Sequence, residues 1–343
     1  GQCSDQPGAD DDRLLDFPEA DIVKKFIAAA FLLLTACQSQ LPRATLEVDH
    51  ALTGKIWAVT NEQFVGYDDL IAASSKATFV LLGEKHDNPD HHIHQTTILR
   101  SLIKAGRRPA VAFEMLNWDQ EAALNAFLKS NPMDAAGLGE AVQWQDTGWP
   151  SWDMYAPIAN TAFAAGSPII AANFPRSWSR KLARQGFDAL PADIFARSKL
   201  DIPLNEEQTR RLEDDLFESH CKMMPKAHLG SVFKVQQARD AVLADALIQS
   251  LDNRSSVVLI AGSGHVRSDR AVPRYLRLRL PDTTIVSVAF IEVQEEAQAP
   301  DDYAEQYGGA LPFDFVWFTA RLENIDPCEK FKAQLQKMKK KKS

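Results

Sequence analysis

The sequence predicts an α/β fold in which a mostly parallel sheet carries helices on both faces, plus a small inserted all-helical subdomain. Three observations lead to this prediction. Short apolar runs alternate with helix-forming segments, as in folds built from strand–helix–strand units. Four of these runs stop on polar side chains that can do chemistry. A charged stretch, residues 175–230, is helix-forming and contains no recognisable strand.

The four chemistry-bearing runs share one geometrical consequence. They span residues 77–86, 109–114, 168–173 and 256–265. Their polar residues are Glu84, His86, Glu114, Asn173 and His265. Parallel strands all point the same way, so their carboxyl ends meet at one edge of the sheet, where doubly wound folds bind ligands. We therefore expect two carboxylates, two imidazoles and a carboxamide in a single crevice.

The other elements follow from local patterns. Residues 56–60 predict a short strand or hairpin arm, and residues 66–130 alternate helix, strand, helix, strand and helix. Asn88 is a suitable N-cap for the helix after the first of the four runs, and Pro89 suits its first turn. Helices are further predicted at about 153–165 and 231–251, and strands at 283–291 and 313–318.

The composition is that of an ordinary globular protein. The 343 residues are 45% hydrophobic and 24% charged, which is enough apolar material for a sizeable core. The net charge of -8 gives no support to nucleic-acid binding. We expect residues 61–174 and 231–320 to form the α/β domain, 37–60 to form a linker, and 321–343 to form a basic tail.

The amino-terminal region resembles a bacterial lipoprotein signal. Lys24 and Lys25 precede a nine-residue apolar run, and small residues follow before Cys37. The run is too short to span a bilayer as a helix. Residues 23–36 are therefore predicted to be a signal peptide with Cys37 as the lipidated residue, and a buried helix is the alternative. The residue after Cys37 is Gln38 rather than Asp. By resemblance to enterobacterial lipoprotein sorting signals, this favours the outer membrane, with the protein on its periplasmic face.

Residues 1–22 do not fit a signal sequence. They contain seven acidic residues and one arginine, which is the opposite charge to that of a signal peptide. Val23 lies directly before the lysines and fits a GTG start codon. We expect residues 1–22 not to be translated.

Two cysteines are left for disulfide pairing, because Cys3 lies in the segment expected not to be translated and Cys37 is the predicted lipidation site. Cys221 and Cys328 can pair in an oxidising compartment, although the sequence gives no distance between them. The chain has no CxxC pair and no zinc-finger spacing, so a structural zinc site is not predicted.

The end of the first run carries a glycine, a carboxylate and an imidazole. Glu84 and His86 are two residues apart, so strand alternation places both on one side. A carboxylate beside an imidazole is typical of proton transfer or of water polarisation. Gly83 allows backbone or ligand to approach closely. A hydrogen-bonded polar turn without a catalytic role is the alternative.

A histidine cluster opens the following helix. His91 and His94 are three residues apart and share a helix face, so together with His86 they are candidate ligands of a divalent metal. A solvated helix face is the alternative, and no second cluster of ligands accompanies the histidines in the sequence.

Tyr155 lies in an aromatic neighbourhood with Trp144, Trp149 and Trp152. Such clustering is typical of core packing. A phenolate can also hold ferric haem, and flat aromatic walls suit a porphyrin. Residues 220–228 supply cations and methionines that can meet the carboxylates and the flat face of a ligand, and an exposed helix connection is the alternative.

Several segments together resemble the ChaN-type haem-binding uptake lipoproteins. They are residues 83–95, 113–115, 149–157, 171–176, 220–225, 237–240, 262–267 and 313–319. The resemblance implies a parallel sheet with a small helical domain. It also implies ferric haem at a dimer interface, held by a tyrosine of one subunit, with a histidine and a lysine of the other subunit on the propionates.

Carried onto this sequence, the resemblance assigns Tyr155 as the iron ligand. It assigns His220 and Lys222 as propionate contacts, with Lys85 and Lys226 as competitors for that role. The implied function is haem and iron acquisition by a lipid-anchored carrier rather than an enzyme. The implied partners are haem, an outer-membrane haem receptor and a second copy of the chain.

The same motifs resemble a wider superfamily that contains erythromycin esterases and the TIKI/TraB proteins. Equivalents of Glu84, His86, Glu114 and His265 act there in hydrolysis, so a hydrolase is the alternative function. His86 would activate water, the two glutamates would orient it or bind metal, and His265 would stabilise developing charge. The chain has no G-x-S-x-G nucleophile elbow.

Overall fold

One eight-stranded sheet organises the protein, as seen in a computed structural model that describes residues 43–251, 254–326, 328–330, 332 and 336. The predictions for the signal peptide and for lipidated Cys37 fall in residues 1–42, outside the described residues. Among the helices that the structure describes, none is long and apolar enough to cross a membrane.

The sheet is mostly parallel, as predicted. Its strands are β1 (Ile56–Ala58), β2 (Gln63–Val65), β3 (Phe79–Glu84), β4 (Ala110–Asn117), β5 (Ile169–Asn173), β6 (Val257–Gly262), β7 (Ile285–Glu292) and β8 (Phe315–Thr319). Their order is β2-β1-β8-β7-β3-β6-β4-β5. Neighbours from β8 to β5 pair in parallel, whereas β1 pairs antiparallel with both β8 and β2.

Helices cover both faces of the sheet. In chain order they are α1 (Tyr67–Ser74), α2 (Pro89–Lys104), α3 (Glu121–Ser130), α4 (Ala135–Ala141), α5 (Trp152–Ala164), α6 (Arg176–Gln185), α7 (Ala192–Ser198), α8 (Glu206–Ser219), α9 (Lys226–Gln249) and α10 (Ala271–Arg279). The predicted N-cap is confirmed, because Asn88 Oδ1 accepts a hydrogen bond from Asp90 N at 2.9 Å and Pro89 opens α2.

Strand β3 shows why both faces are covered. Val80 and Leu82 pack in the core formed with α1, α2 and α5, while Phe79 and Leu81 pack in the core formed with α9 and α10. This division follows from the alternation of side chains along a strand. All four side chains are 1% exposed or less, and burying each one stabilises the fold by roughly 1.5–3 kcal/mol.

The four predicted runs are β3, β4, β5 and β6, and they are neighbours in the sheet in the order β3-β6-β4-β5. Strand β4 continues past its predicted end at Glu114 to Asn117, because Met115 and Leu116 are also buried. Its pairing with β5 shifts register between Phe113 and Asn117. Such irregularities re-aim side chains, and Glu114 lies within this one.

The segment 175–230 is helical, with α6, α7, α8 and the start of α9. Three of its leucines join the core between the sheet and α9: Leu182, Leu190 and Leu200. A small separate cluster of α8 leucines packs near α9. The long helix begins at Lys226 rather than at residue 231, so the segment is a layer on the main fold.

Cys221 and Cys328 form a disulfide, with their Cα atoms 5.4 Å apart. The bond joins the loop between α8 and α9 to the C-terminal segment across 107 residues of sequence. Lys330 of the same segment pairs with Asp87, just after β3, at 2.9 Å. The C-terminal segment is therefore held to the fold by both a covalent bond and an ion pair.

Replacing Cys328 with Ser is expected to lower the free energy of unfolding by about 2–4 kcal/mol, because opening the loop raises the entropy of the unfolded chain. Urea denaturation under oxidising conditions measures this change. Reductant should bring the wild-type protein to the stability of the variant and leave the variant unchanged. A wild-type stability that reductant does not alter would show that the disulfide does not form.

Candidate functional site

Glu84 is a buried carboxylate surrounded by hydrogen-bond donors at the carboxyl end of β3, and it is only 2% exposed. Its Oε1 accepts hydrogen bonds from the Tyr155 hydroxyl and from His86 Nδ1, both at 2.8 Å. Its Oε2 accepts one from Gln95 Nε2 at 2.7 Å. His92 Nδ1 lies 3.2 Å from the same oxygen, an ion-pair distance at an alignment too poor for a hydrogen bond.

The negative charge of Glu84 and the positive charges of His86 and His92 stabilise one another. Burial on its own would raise the pKa of Glu84, but His92 and His86 outweigh burial and hold this pKa well below its usual range. Burial would lower the pKa of both histidines, and the Glu84 carboxylate outweighs it and raises both pKa values above the ordinary one. Glu84 is therefore ionised, and both imidazoles hold their protons more strongly than a free imidazole does.

A second carboxylate–imidazole pair lies at the end of the adjacent strands. Glu114 Oε2 accepts a hydrogen bond from Gly262 N at 2.8 Å, and its Oε1 lies 3.3 Å from His265 Nε2. His265 Nδ1 lies 2.6 Å from Asp240 Oδ1 of α9. Burial would lower the pKa of His265, but Glu114 and Asp240 outweigh it and raise this pKa to about 9. His265 is thus an imidazolium held between two carboxylates.

Two glycines bring the two pairs together. A Cβ at Gly262 would lie 2.9 Å from His86 Nε2 and 3.6 Å from Glu114 Oε2, so both groups approach the same point of the backbone. Gly83 was expected to admit backbone or ligand. Gly83 allows the turn after β6 to approach β3 closely, because a Cβ at position 83 would lie 2.9 Å from Ser263 Cα and would clash with the Val266 side chain.

His86 is the accessible member of the four predicted strand-end acids and bases. Its side chain is 32% exposed, whereas the side chains of both glutamates and of His265 are 8% exposed or less. The ring of Trp149 lies against it, with ring centroids 4.7 Å apart. Within the described part of the chain its Nε2 accepts or donates no hydrogen bond. His86 is therefore the one of these four side chains that a ligand can contact without displacing the others.

A cavity of about 510 Å³ opens beside these groups at the carboxyl ends of β4 and β5. Its lining includes Glu114, Trp149, Asn173 and Phe174. Asn173 was predicted in the crevice and lines the cavity, but its amide is used locally. Its Nδ2 donates to the Glu114 carbonyl at 2.9 Å, and its Oδ1 accepts from Phe174 N at 2.8 Å. The volume lies within the range of small-molecule sites.

Tyr155, expected to hold haem iron, is not accessible in this structure. The side chain is 0% exposed and packs among aromatic rings that include Trp144, with ring centroids 4.9 Å apart. Burial and the adjacent Glu84 charge raise the pKa of the phenol far above its ordinary value. A tyrosinate would therefore stand beside an ionised carboxylate, and Tyr155 acts here as a hydrogen-bond donor to Glu84.

The structure does not bring the candidate ligands His86, His91 and His94 together as a metal site. His91 Nδ1 accepts a hydrogen bond from Lys85 N at 2.8 Å, and its Nε2 lies 2.9 Å from Thr319 Oγ1. His94 stacks on an aromatic ring of β8 instead, with ring centroids 4.0 Å apart. Over the residues that the structure describes, no group of three or more His, Cys, Asp or Glu could hold a metal ion.

The lysines predicted to meet propionates have carboxylate partners already. Lys85 Nζ pairs with Glu292 at 2.8 Å, and Lys222 Nζ pairs with Glu218 at 3.1 Å. His220 ends α8, where its Nδ1 lies 2.7 Å from the Leu216 carbonyl. The side chain of Lys226, the further competitor, is not among those described. Lys85 and Lys222 therefore pair with Glu292 and Glu218 rather than with Glu84 or Glu114.

Sequence reasoning missed three partners of the two carboxylates, His92, Gln95 and Gly262, and it missed Asp240, which pairs with His265. The spacing of His92 and Gln95 in α2 carried a signal, because positions three apart share a helix face. The face was misassigned to His91 and His94, since sequence alone does not show which side of α2 meets β3. Asp240 lies in α9, far along the chain, and no local pattern connects it with His265.

The charge on His265 makes stability depend on pH. Its folded-state pKa of about 9 exceeds the ordinary value of 6.5, so its stabilising effect is complete below about pH 6.5 and is lost as the pH rises to about 9. We expect the free energy of unfolding to fall over this interval. His265→Gln should flatten the slope in part, because His86 and His92 contribute in the same direction.

Urea denaturation at a series of pH values measures this slope. His228→Gln is the matched control, because His228 is exposed and should leave the slope unchanged. An equal slope in the wild-type protein and in His265→Gln would contradict the assignment of a buried imidazolium at His265.

Comparison with known proteins assigns this arrangement to a family. The family model described as haem-binding uptake, Tiki superfamily, ChaN matches residues 70–276, which include all four strand ends. ChaN of Campylobacter jejuni, whose structure shows cofacial haem binding, is similar at 24% identity over 76% of this chain and 95% of that chain, with a TM-score of 0.55. At this identity the likeness establishes a shared fold.

Two more solved structures are more distant. An erythromycin esterase variant in its open conformation has 13% identity over 83% of this chain and 99% of its own, with a TM-score of 0.44. The type III effector HopBA1 has 14% identity over 74% and 93%, with a TM-score of 0.40. No curated protein sequence matches significantly. The family match spans more than half of the chain, and this protein therefore belongs to the ChaN family of haem-binding uptake proteins in the Tiki superfamily.

Proposed function

We propose that this protein binds haem as a cargo and takes part in haem or iron uptake. The observation that carries the proposal is the family match over residues 70–276, because that span holds both glutamate–histidine pairs. The shared fold with a ChaN protein that binds haem cofacially supports it further.

His86 is the side chain proposed to meet the haem iron. Glu84 holds its Nδ1 at 2.8 Å, which leaves Nε2 without a hydrogen-bond partner among the described residues, and the ring lies beside Trp149. Metal-binding histidines commonly donate their second ring N–H to a carboxylate, which fixes the ring and raises its basicity. Imidazole is also a common axial ligand of haem iron. Tyr155 is not proposed, because its hydroxyl is buried against Glu84.

The proposal extends to assembly and location. His86 would hold ferric haem from one side, and we propose that a second copy of the chain would cover the other side to give a homodimer. The lipoprotein-like segment before Cys37 supports an anchor in the outer membrane with the protein facing the periplasm. The partner there would be an outer-membrane haem receptor or uptake system.

Haemin titration of the chain starting at Gln38 is expected to show saturable binding with an imidazole-type visible spectrum. His86→Ala should weaken binding about tenfold or more, because one coordinate bond to iron is lost. Since the pKa of His86 is raised and the ring must lose its proton to bind iron, affinity should rise with pH. Absorbance gives the affinity, and analytical ultracentrifugation tests the dimer.

His228→Ala is the matched control for this titration, because His228 is exposed in the first turn of α9. Tyr155→Phe should keep the haem spectrum. A tyrosinate charge-transfer band that disappears in Tyr155→Phe, with normal binding by His86→Ala, would reassign the ligand to Tyr155. No saturable binding by the wild-type protein would reject the haem proposal.

Hydrolysis of an ester or amide is the second candidate, favoured by one observation. Asp240, His265 and Glu114 form a buried chain of ionisable groups that ends at Gly262, beside His86 Nε2. Such chains position and charge an acid–base group. A substrate atom between His86 and Glu114 would meet a proton donor on one side and an ionised carboxylate on the other.

A screen of aryl esters and amides tests this second candidate. Glu114→Gln is expected to abolish turnover and to retain saturable haemin binding, because Glu114 is not the proposed iron ligand. Asp119→Asn is the matched control, since Asp119 is an exposed carboxylate that lines the same cavity. The absence of turnover by the wild-type protein across the screen would reject the hydrolase reading.

A further inference from the structure

The turn that carries His86 is held by a lysine from the far end of the chain. The turn comprises residues 85–88, directly after β3. Lys330 Nζ lies 2.9 Å from an oxygen of Asp87, the residue that follows His86. The same ammonium group pairs with Glu323 of its own segment. The C-terminal segment is therefore connected directly to the candidate site.

This ion pair is weak on its own. The Lys330 side chain is 51% exposed and that of Asp87 is 35% exposed, so water and salt screen their attraction. Exposed pairs of this kind shift an equilibrium by about fivefold or less. The C-terminal segment needs a further constraint to stay beside the turn.

The disulfide supplies that constraint. Cys328 precedes Lys330 by two positions in the sequence, and its bond to Cys221 ties it to the loop between α8 and α9. A tether this short keeps the ammonium group near Asp87, because the two partners then meet within one molecule at high effective concentration. The ion pair therefore depends on the disulfide.

The backbone of the α8–α9 loop adds to this dependence. Cys221 and Lys222 have φ angles of 58° and 57°, in the left-handed region that favours glycine. Two successive residues with side chains are unfavourable in this region, so the surrounding structure must hold them there. The disulfide is one such constraint. Once the bond opens, the loop is free to relax and to carry its thiol away from Cys328.

The two ends of the turn are fixed independently of the disulfide, by Glu292 at the end of β7. Its Oε2 pairs with Lys85 Nζ at 2.8 Å, and its Oε1 accepts a hydrogen bond from Asn88 Nδ2 at 2.7 Å. The middle of the turn has the weaker support. Without Lys330, Asp87 keeps the Lys85 ammonium group, 3.6 Å away, as its partner.

We propose that the Cys221–Cys328 disulfide is a redox-controlled latch on the candidate site. In the oxidised protein the latch holds Lys330 against Asp87, and in the reduced protein it releases Lys330. The latched turn presents His86 in one position, so a ligand does not have to order it on binding. Release lets the turn move and weakens binding through His86. The inference rests on the proposed function for its ligand, haem, and adds control of that site by thiol–disulfide exchange.

The chemical step is an exchange with a dithiol, such as that of a thiol–disulfide oxidoreductase. One thiolate of the dithiol attacks one sulfur of the bond and expels the other as a thiolate, which takes up a proton. The second thiol loses its proton and displaces the attacked cysteine from the mixed disulfide. The protein gains two electrons and two protons, and the dithiol is oxidised to a disulfide. Cys221 and Cys328 are both partly exposed, so a reductant can reach them.

Hydrogen exchange of the ligand-free protein tests the latch itself. Backbone amides of residues 84–90 should exchange faster after reduction with a phosphine, which reduces disulfides without offering a thiol to iron. Lys330→Gln should show the same acceleration in the oxidised state, and reduction should add nothing to it. Exchange within β6, which is buried throughout, should remain slow, and this separates release of the turn from general loss of stability.

Lys332→Gln is the matched control, because Lys332 belongs to the same segment but pairs with Glu329 instead of Asp87. It should keep the full response to reduction. Equal exchange of residues 84–90 in the oxidised and reduced wild-type protein would overturn the latch.

Haemin titration tests the consequence for the ligand. Phosphine reduction, Cys328→Ser and Lys330→Gln should each weaken haemin binding about two- to fivefold, because each removes the same ion pair. Saturable binding with equal affinity in both redox states would overturn control of the site and leave the haem function intact. No haemin binding, together with redox-dependent exchange of residues 84–90, would reject the haem function and support the latch.

Discussion

Two ionised glutamates, buried at the carboxyl ends of neighbouring strands, are the constraint on which the rest of the structure depends. A buried carboxylate that loses its partners costs several kcal/mol, so each must be supplied with donors. Glu84 draws them from α2 and α5. Glu114 draws them from β6 and from His265, whose other ring nitrogen pairs with Asp240 of α9. These interactions connect helices on both faces of the sheet to the edge where its parallel strands end.

The same constraint decides which side chains are left for a ligand. Tyr155, His92 and Gln95 are committed to Glu84, and His265 is committed to Glu114 and Asp240. Within the part of the chain that the structure describes, His86 Nε2 and Arg239 Nε have no hydrogen-bond partner at this edge. A buried anion with a full set of donors is a poor ligand for iron, whereas an imidazole that it orients is a good one.

Prediction from sequence succeeded where a local pattern carries the physics. Four apolar runs that end on polar residues became four adjacent strands, and the two-residue spacing of Glu84 and His86 became a 2.8 Å contact. It failed where the partner is distant in the chain. His91 and His94 shared a face as expected, yet the face turned towards β3 carries His92 and Gln95. Tyr155 matched a motif, but its burial depends on aromatic packing that no spacing reveals.

By itself the sequence determined that this protein has a mostly parallel sheet, because the alternation of strands and helices follows from the chain alone. It also determined that the acids and bases lie at one edge, because parallel strands all end on the same side of the sheet. Only the tertiary structure decided how these groups are paired and which are exposed. Pairing depends on the order β3-β6-β4-β5 and on the close approach allowed at Gly262, both of which join residues far apart in sequence. Burial then sets the charges, since each ionised group must find its partner inside the fold.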